Sequence, residues 1–321
     1  MRTSRAKKGE AFLGLGLILP ALAVLLAFHI VPLLYVGVLS FRASDGGGWT
    51  LDQYGKCLRA APDGDRGTAP FLQALSVTAY YAAGVVPVSL GLGLLVAVLL
   101  SGELRGRAIY RTIYFLPFAT SAVAAAAAWR WIFHREAWGI ANSLLARFGT
   151  NPVPWTEESR GVFEILWGKL GLAAPLPFAG PSVALVTCMA FAVWQSLGFN
   201  VVVFLAGLSR IPRELYEAAR VDGAGSWTIL WKITFPLLGP TTFLLCVVMT
   251  ISSFQAFSHI FIMAPSQWDQ SARNVALLIF EQIWQEHDYN FAAAVATMLF
   301  LILLLLTAIQ FRVVGPRVHY R

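Results

Sequence analysis

The sequence predicts an all-α polytopic membrane protein with six transmembrane helices, N-in and C-in. Three observations carry this reading. Of 321 residues, 57% are apolar or aromatic and only 13% are charged, against about 25% charged in an ordinary soluble domain. The mean hydropathy is strongly positive, at +0.65. The apolar residues gather into six runs, roughly 12–40, 71–100, 109–133, 181–206, 237–263 and 290–314. Each reaches the length of about 20 residues that a spanning helix needs. This composition excludes a disordered chain, a disulfide-stapled secreted module and a typical soluble enzyme. The runs are also too long and too uniformly apolar for the alternating strands of a membrane barrel.

The first run follows Arg2, Arg5, Lys7 and Lys8. Its apolar stretch exceeds a signal-peptide core and no polar cleavage region follows, so it is expected to remain as a span. Residues 1–11 form a cytoplasmic N-terminal segment, 12–315 one membrane domain and 316–321 a cytoplasmic tail. With the N-terminus inside, the inner segments hold 14 Lys/Arg against five acids, and the outer segments hold 10 against 12. The positive-inside rule favours this orientation, and an even number of spans returns the C-terminus to the same side. The net charge of +7 falls in short clusters between apolar runs. It forms no basic stripe, so the lipid bilayer rather than nucleic acid is the expected surface.

The outer segments are about 41–70, 134–180 and 264–289. Asp45–Gly48 and the Pro62–Gly67 stretch read as turns. Trp138–Leu145 reads as a short interfacial helix. Cys57, Cys188 and Cys246 have no metal or redox spacing. The five histidines form no zinc pattern, so no metal ligand is assigned. There is no phosphate-binding Gly-x-x-x-x-Gly-Lys-Ser/Thr and no Gly-x-Ser-x-Gly. The spans also lack Asp or Glu at their centres, where an ion- or proton-coupled carrier usually keeps an ionisable relay.

The loop between spans four and five, 207–236, is the most informative stretch. Pro212 suits a first helical position and Glu214 the first turn of a helix. Leu215, Ala218 and Ala219 share one face at i, i+3, i+4 spacing. Asp222-Gly223-Ala224-Gly225 ends that helix, because glycine accepts the left-handed turn. Ser226 is a fitting N-cap for a second helix, on which Trp227, Leu230, Trp231 and Thr234 form one face. Pro236 marks re-entry to the membrane. The expected product is a helix–turn–helix on the cytoplasmic surface.

Glu217-Ala218-Ala219, three residues, Gly223, nine residues, then Ile233-x-Phe235-Pro236 resembles the EAA loop of ABC-importer permeases, with Phe235 where leucine is usual. Tyr110–Pro117, Trp131-Ile132-Phe133 and Gly139-x-x-Asn142 resemble the carbohydrate branch of that family. Gln310-Phe311-Arg312 is similar to its glycerol-3-phosphate members. The resemblance implies that the loop is a cytoplasmic coupling helix seated in an ATPase subunit, with Glu217, Ala218, Ala219, Asp222, Gly223 and Gly225 as coupling residues. It implies a second homologous permease, a dimer of ATP-binding subunits and an extracytoplasmic solute-binding protein. ATP and magnesium would sit on the ATPase subunits, with no cofactor in this chain. The implied function is half of a translocation path for a carbohydrate or glycerol-phosphate-like solute. The alternatives are an ion- or proton-coupled secondary transporter and a non-transporting scaffold subunit.

Polar residues inside spans tend to face a cavity or another helix. The candidates are Gln195, Gly198 and Asn200 in span four and Ser252, Gln255, Ser258 and His259 in span five. Ser252, Gln255 and His259 recur at i, i+3, i+7, one face of an unbroken helix. A neutral face of hydroxyls and amides suits hydrogen bonding to a sugar or polyol. In the resembling maltose-type permeases these two spans carry substrate contacts. Arg130, between Trp129 and Trp131, is expected to anchor at the outer interface.

Overall fold

A computed structural model describes residues 16–43, 47–59, 69–102, 106–171, 180–264, 270–313 and 315. The N-terminal segment 1–11, the start of span one at 12–15, the tail 316–321 and the Pro62–Gly67 turn lie outside these residues, as do Asp45 and Gly46. The described residues are mostly helical, with two isolated β-bridges, Arg42 to Trp49 and Gly161 to Ser182.

Four helices are each long and apolar enough to cross a membrane: α1 (Gly16–Leu39), α3 (Pro70–Ser101), α8 (Val183–Leu208) and α14 (Tyr289–Val313). Between α1 and α3 lies the short α2 (Asp52–Leu58). The other two spans are bent, which corrects the sequence reading of continuous runs. Run 109–133 becomes α4 (Arg107–Ala119) and α5 (Ala122–Ile132), turned by 102°. Pro117 lies inside α4 and lacks an N–H to donate. Thr120 then goes extended at ψ 153°, with its hydroxyl donating to the Pro117 carbonyl at 2.7 Å.

Run 237–263 is broken twice. The loop carries α9 (Arg213–Val221) and α10 (Ser226–Leu237), and α10 turns by 68° into α11 (Gly239–Phe254). The chain leaves helical geometry at Gln255–Phe257 and resumes as α12 (Ser258–Met263). Exposed backbone inside an apolar layer needs partners. Here the buried Asn274 amide donates to the Ala256 carbonyl. The outer segments add α6 (Ile140–Ala146), α7 (Val162–Lys169) and α13 (Val275–Trp284). The interfacial helix expected at Trp138–Leu145 is α6, begun two residues later. Helix α13, apolar but only 10 residues long, was not expected; it falls below spanning length.

The chain divides into two compact units, Met1–Pro70 with Ile279–Phe300, and Phe71–Leu278 with Leu301–Arg321. In the first, Ser40 and Tyr54 share a hydroxyl bond at 2.7 Å, and Asn290 donates to the Ala43 carbonyl at 3.0 Å. Cys57 is fully buried there, and burial pushes its thiol up to about 11. The second unit holds the helices considered below. At one end, Ala97 and Leu100 of α3, Val201, Phe204 and Leu205 of α8, and Leu245 of α11 form a buried apolar cluster. Ile211 and Leu238, which flank the 212–237 elbow, belong to the same cluster.

The outer segment of the second unit is organised by one side chain. Asn142 of α6 is 1% exposed. Its amide nitrogen lies 3.0–3.3 Å from the carbonyls of His134, Arg135, Glu136 and Val153. Its carbonyl oxygen accepts from Val153 N–H and the Trp155 indole. Nearby, Arg160 grips Glu158 with two 2.8 Å bonds and holds that carboxyl below its ordinary range. Asn142→Asp, which turns a donor into an anion facing carbonyl oxygens, is expected to cost about 1–3 kcal/mol or more. Limited proteolysis between residues 134 and 155 checks it, with faster cleavage the expected result.

Candidate functional site

Two sites emerge in the second unit: the elbow between α8 and α11, and a cavity among α3, α4, α8, α11 and α12.

The elbow forms as its sequence dictates, with shifts at its ends. Pro212 is the N-cap rather than the first helical residue, and α9 begins at Arg213. Its C-terminus closes with two bonds, Ala224 N–H to the Ala219 carbonyl (2.9 Å) and Gly223 N–H to the Arg220 carbonyl (3.0 Å). This closure needs a left-handed residue after the cap, and Gly223 supplies it at φ +77°. Gly225, not Ser226, caps α10, which contains a wide turn at Leu230–Thr234.

The faces differ from expectation. On α9, Ala219 is buried, but Leu215 and Ala218 are exposed. On α10, Trp227 and Trp231 are exposed, while Thr234 turns inward and meets the Tyr216 hydroxyl at 3.4 Å. A period-based face assumes both helices pack on one side only; here the wide turn rotates Thr234 away from Trp227. Glu217, Ala218, Asp222, Gly223 and Gly225 are all exposed. Of the six coupling candidates, five therefore present themselves on the surface and Ala219 packs beneath them. A Cβ built on Gly223 or Gly225 meets no atom within 4 Å.

The cavity encloses about 500 Å³, within the range of about 300–1,000 Å³ typical of small-molecule sites. Its polar side chains are Tyr81, Gln195, Ser196, Ser252, Ser253 and His259. Phe118 and Phe199, stacked at 5.4 Å between ring centroids, supply an apolar wall. The Tyr81 hydroxyl and His259 Nε2 are 2.7 Å apart, and the His259 ring stacks on Phe191. Ser253 is 3% exposed, and its hydroxyl has no hydrogen-bond partner.

Gln195, Ser252 and His259 from the sequence reading thus line one cavity. Gly198, Asn200, Gln255 and Ser258 are not among its lining residues. Gln255 is exposed at the C-cap of α11, because the break after Phe254 destroys the i, i+3, i+7 face. Asn200 is fully buried and donates to the Ser89 carbonyl at 3.4 Å. Gly198 is a crossing point: a Cβ there collides with the Tyr114 carbonyl and lies 2.8 Å from Phe115 Cα. Gly198→Ala is therefore expected to lower stability by about 1–3 kcal/mol through overpacking. A reduced melting temperature of the purified chain in detergent checks this.

Tyr81 and Ser196 were missed by the sequence reading. Tyr81 lies 178 positions from His259, and no local period reports such a pairing. Arg130 donates to the Ile262 carbonyl at 3.3 Å, so it is tied to the end of α12. Among the described residues, no group of three or more His, Cys, Asp or Glu is placed to hold a metal ion.

The family described as binding-protein-dependent transport system inner membrane component matches residues 89–320. The chain is 31% identical over 327 residues to the probable ABC transporter permease protein YesP of Bacillus subtilis, covering 100% of this chain and 96% of that one. It is 32% identical over 251 residues to the sn-glycerol-3-phosphate transport system permease protein UgpA of Agrobacterium fabrum, covering 78% of each. Its fold superposes with a TM-score of 0.76 on a chain of a bacterial alginate ABC transporter crystallised with an alginate pentasaccharide-bound periplasmic protein. That match has 20% identity and covers 97% of this chain and 96% of the other. The chain belongs to the binding-protein-dependent transport system inner membrane component family, and is a multi-pass permease subunit of an ABC importer.

Proposed function

We propose that this chain pairs with a second homologous permease, two ATP-binding subunits and an extracytoplasmic solute-binding protein. In this reading it forms half of the path for a carbohydrate or glycerol-phosphate-like solute. The 212–237 elbow is the contact for the ATPase, on the cytoplasmic side that the charge distribution favours. ATP and its magnesium ion belong to the partner subunits, and this chain supplies no cofactor. Family membership sets aside the ion- or proton-coupled carrier considered from sequence.

The observation that carries the coupling role is the anchoring of the elbow. Both its flanks, Ile211 and Leu238, sit in the apolar cluster shared by α3, α8 and α11. Its two helices are tied by Tyr216 and Thr234. A close-packed core transmits displacement rather than absorbing it, so a push on Glu217, Ala218 or Asp222 is passed to the spans. The gap of Gly223 and Gly225, with open space over both Cα atoms, admits the backbone of another protein. Gln195, Ser252 and His259 serve the solute path, and Gly198 and Asn200 support it through helix packing.

The test is co-purification. The tagged chain, expressed with its partners, is expected to bring down an ATPase subunit and a second permease, and vesicles of that complex to take up solute only with ATP. A chain that purifies alone, or uptake driven by an ion gradient without ATP, contradicts the proposal.

A further inference from the structure

We propose that Asn274 is a positioning residue that ties the break in span five to the outer segment 264–289, so that docking of the solute-binding protein outside is passed to the solute path through the Asn274 amide. This rests on the importer reading above and deepens it, by naming a contact that carries the signal inward.

Asn274 follows a short turn, Gln270–Ala272, and directly precedes α13. It is fully buried, and both ends of its amide are engaged. The oxygen accepts from Leu277 N–H at 2.9 Å and so caps α13. The nitrogen donates to the Ala256 carbonyl, 18 positions earlier, in the middle of the Gln255–Phe257 break. Capping alone asks only for an oxygen, which serine or threonine also supplies. The donor on Asn274 therefore has a second task, in another span.

That task falls on an element built to bend. Gln255 and Phe257 have left helical geometry, at φ −97°, ψ 7° and φ −135°, ψ −64°. A few such residues are where hinges absorb backbone change. Ala256 and His259 both line the cavity, and His259 is bonded to Tyr81 of α3. The stretch around Asn274 is fastened elsewhere to long helices. Val275 N–H donates to Thr78 Oγ1 of α3 at 3.0 Å, one helical turn from Tyr81. Ser182, the N-cap of α8, donates to the Ser271 carbonyl at 3.5 Å. The stretch thus grips α3 and α8 on one side and the break on the other. Without the Asn274 donor, the Ala256 carbonyl loses its partner in an apolar layer, and the break moves independently of the outer segment.

The test separates the bridge from the cap. Asn274→Ser and Asn274→Thr keep a capping oxygen but are too short to reach Ala256, whereas Asn274→Ala loses both. Each is purified in the complete importer and placed in lipid nanodiscs. ATP hydrolysis is measured with and without the importer's binding protein, carrying the solute it retains on purification from its native host. The readout is the ratio of the two rates, which a merely structural residue does not move. The serine and threonine variants are expected to assemble and to show a ratio at least about threefold below wild type, the scale of one lost buried hydrogen bond. Asn274→Ala is expected to lose the same ratio and to melt at a lower temperature, because it alone loses the cap. A wild-type ratio in every serine or threonine variant that assembles overturns the proposal. Failure of both to assemble assigns Asn274 to stability alone and overturns it too, as does a wild-type complex that hydrolyses ATP equally with and without the binding protein. A wild-type complex that hydrolyses no ATP refutes the importer reading beneath it.

Discussion

Gly223→Asp is expected to abolish ATPase association and solute uptake while the chain still inserts and folds. Gly223 closes α9 at φ +77°, and a left-handed conformation costs a non-glycine residue roughly 1–2 kcal/mol, with Asp among the better tolerated. Nothing in this chain lies within 4 Å of an added Cβ. The internal damage is therefore small, and a large functional loss has to come from a partner. An unpaired charge buried in an interface costs about 2–5 kcal/mol, at least about a tenfold loss of affinity. Expression and melting temperature near wild type, with ATPase missing from the purified complex, is the expected pattern. Gly223→Asn separates charge from shape: it has the same size without the charge and is expected to retain part of the association. ATPase recovered at wild-type yield with Gly223→Asp would count against the elbow as the docking site.

The second large effect is expected at His259. Removing its ring leaves the Tyr81 hydroxyl without its 2.7 Å partner in a position 1% exposed. An orphaned buried hydroxyl costs about 1–3 kcal/mol, and the stack on Phe191 is lost with it. His259→Ala is expected to reduce uptake about tenfold or more, with the ATPase still bound. His259→Gln, which keeps a group able to bond Tyr81, recovers part of the rate. Gln255→Ala is the contrast. Its side chain is exposed and outside the cavity, and such substitutions usually stay within about 0.5 kcal/mol. The sequence alone gave these two residues equal weight, because both fell on one face of an assumed continuous helix. Uptake measured for both variants decides between the broken and the continuous geometry; equal losses would favour the latter.

What was legible from the sequence follows a physical pattern. Spans were readable where the apolar run is uninterrupted, as in α1, α3, α8 and α14. The elbow was readable because its punctuation is chemical: Pro212 at the cap, Gly223 at positive φ and Gly225 at the next cap mark turns that few other residues make. The breaks at Thr120 and at Gln255–Phe257 were not legible. Ser, Thr and Gln inside an apolar run are compatible with a straight helix, and the partners that satisfy the interruption are remote, such as Asn274 for Ala256. Gly198 and Asn200 were misplaced for a related reason. A small or polar residue in a span signals closeness to something, and sequence does not say whether that is a solute or the Tyr114 backbone.

The most direct test of the central claim is labelling of Glu217→Cys in a chain whose Cys57, Cys188 and Cys246 are replaced. In right-side-out vesicles, a membrane-impermeant maleimide is expected to leave position 217 untouched until the membrane is opened. Bound ATPase is then expected to shield it. Labelling from the intact outer face, or equal labelling with and without the ATPase, contradicts the account.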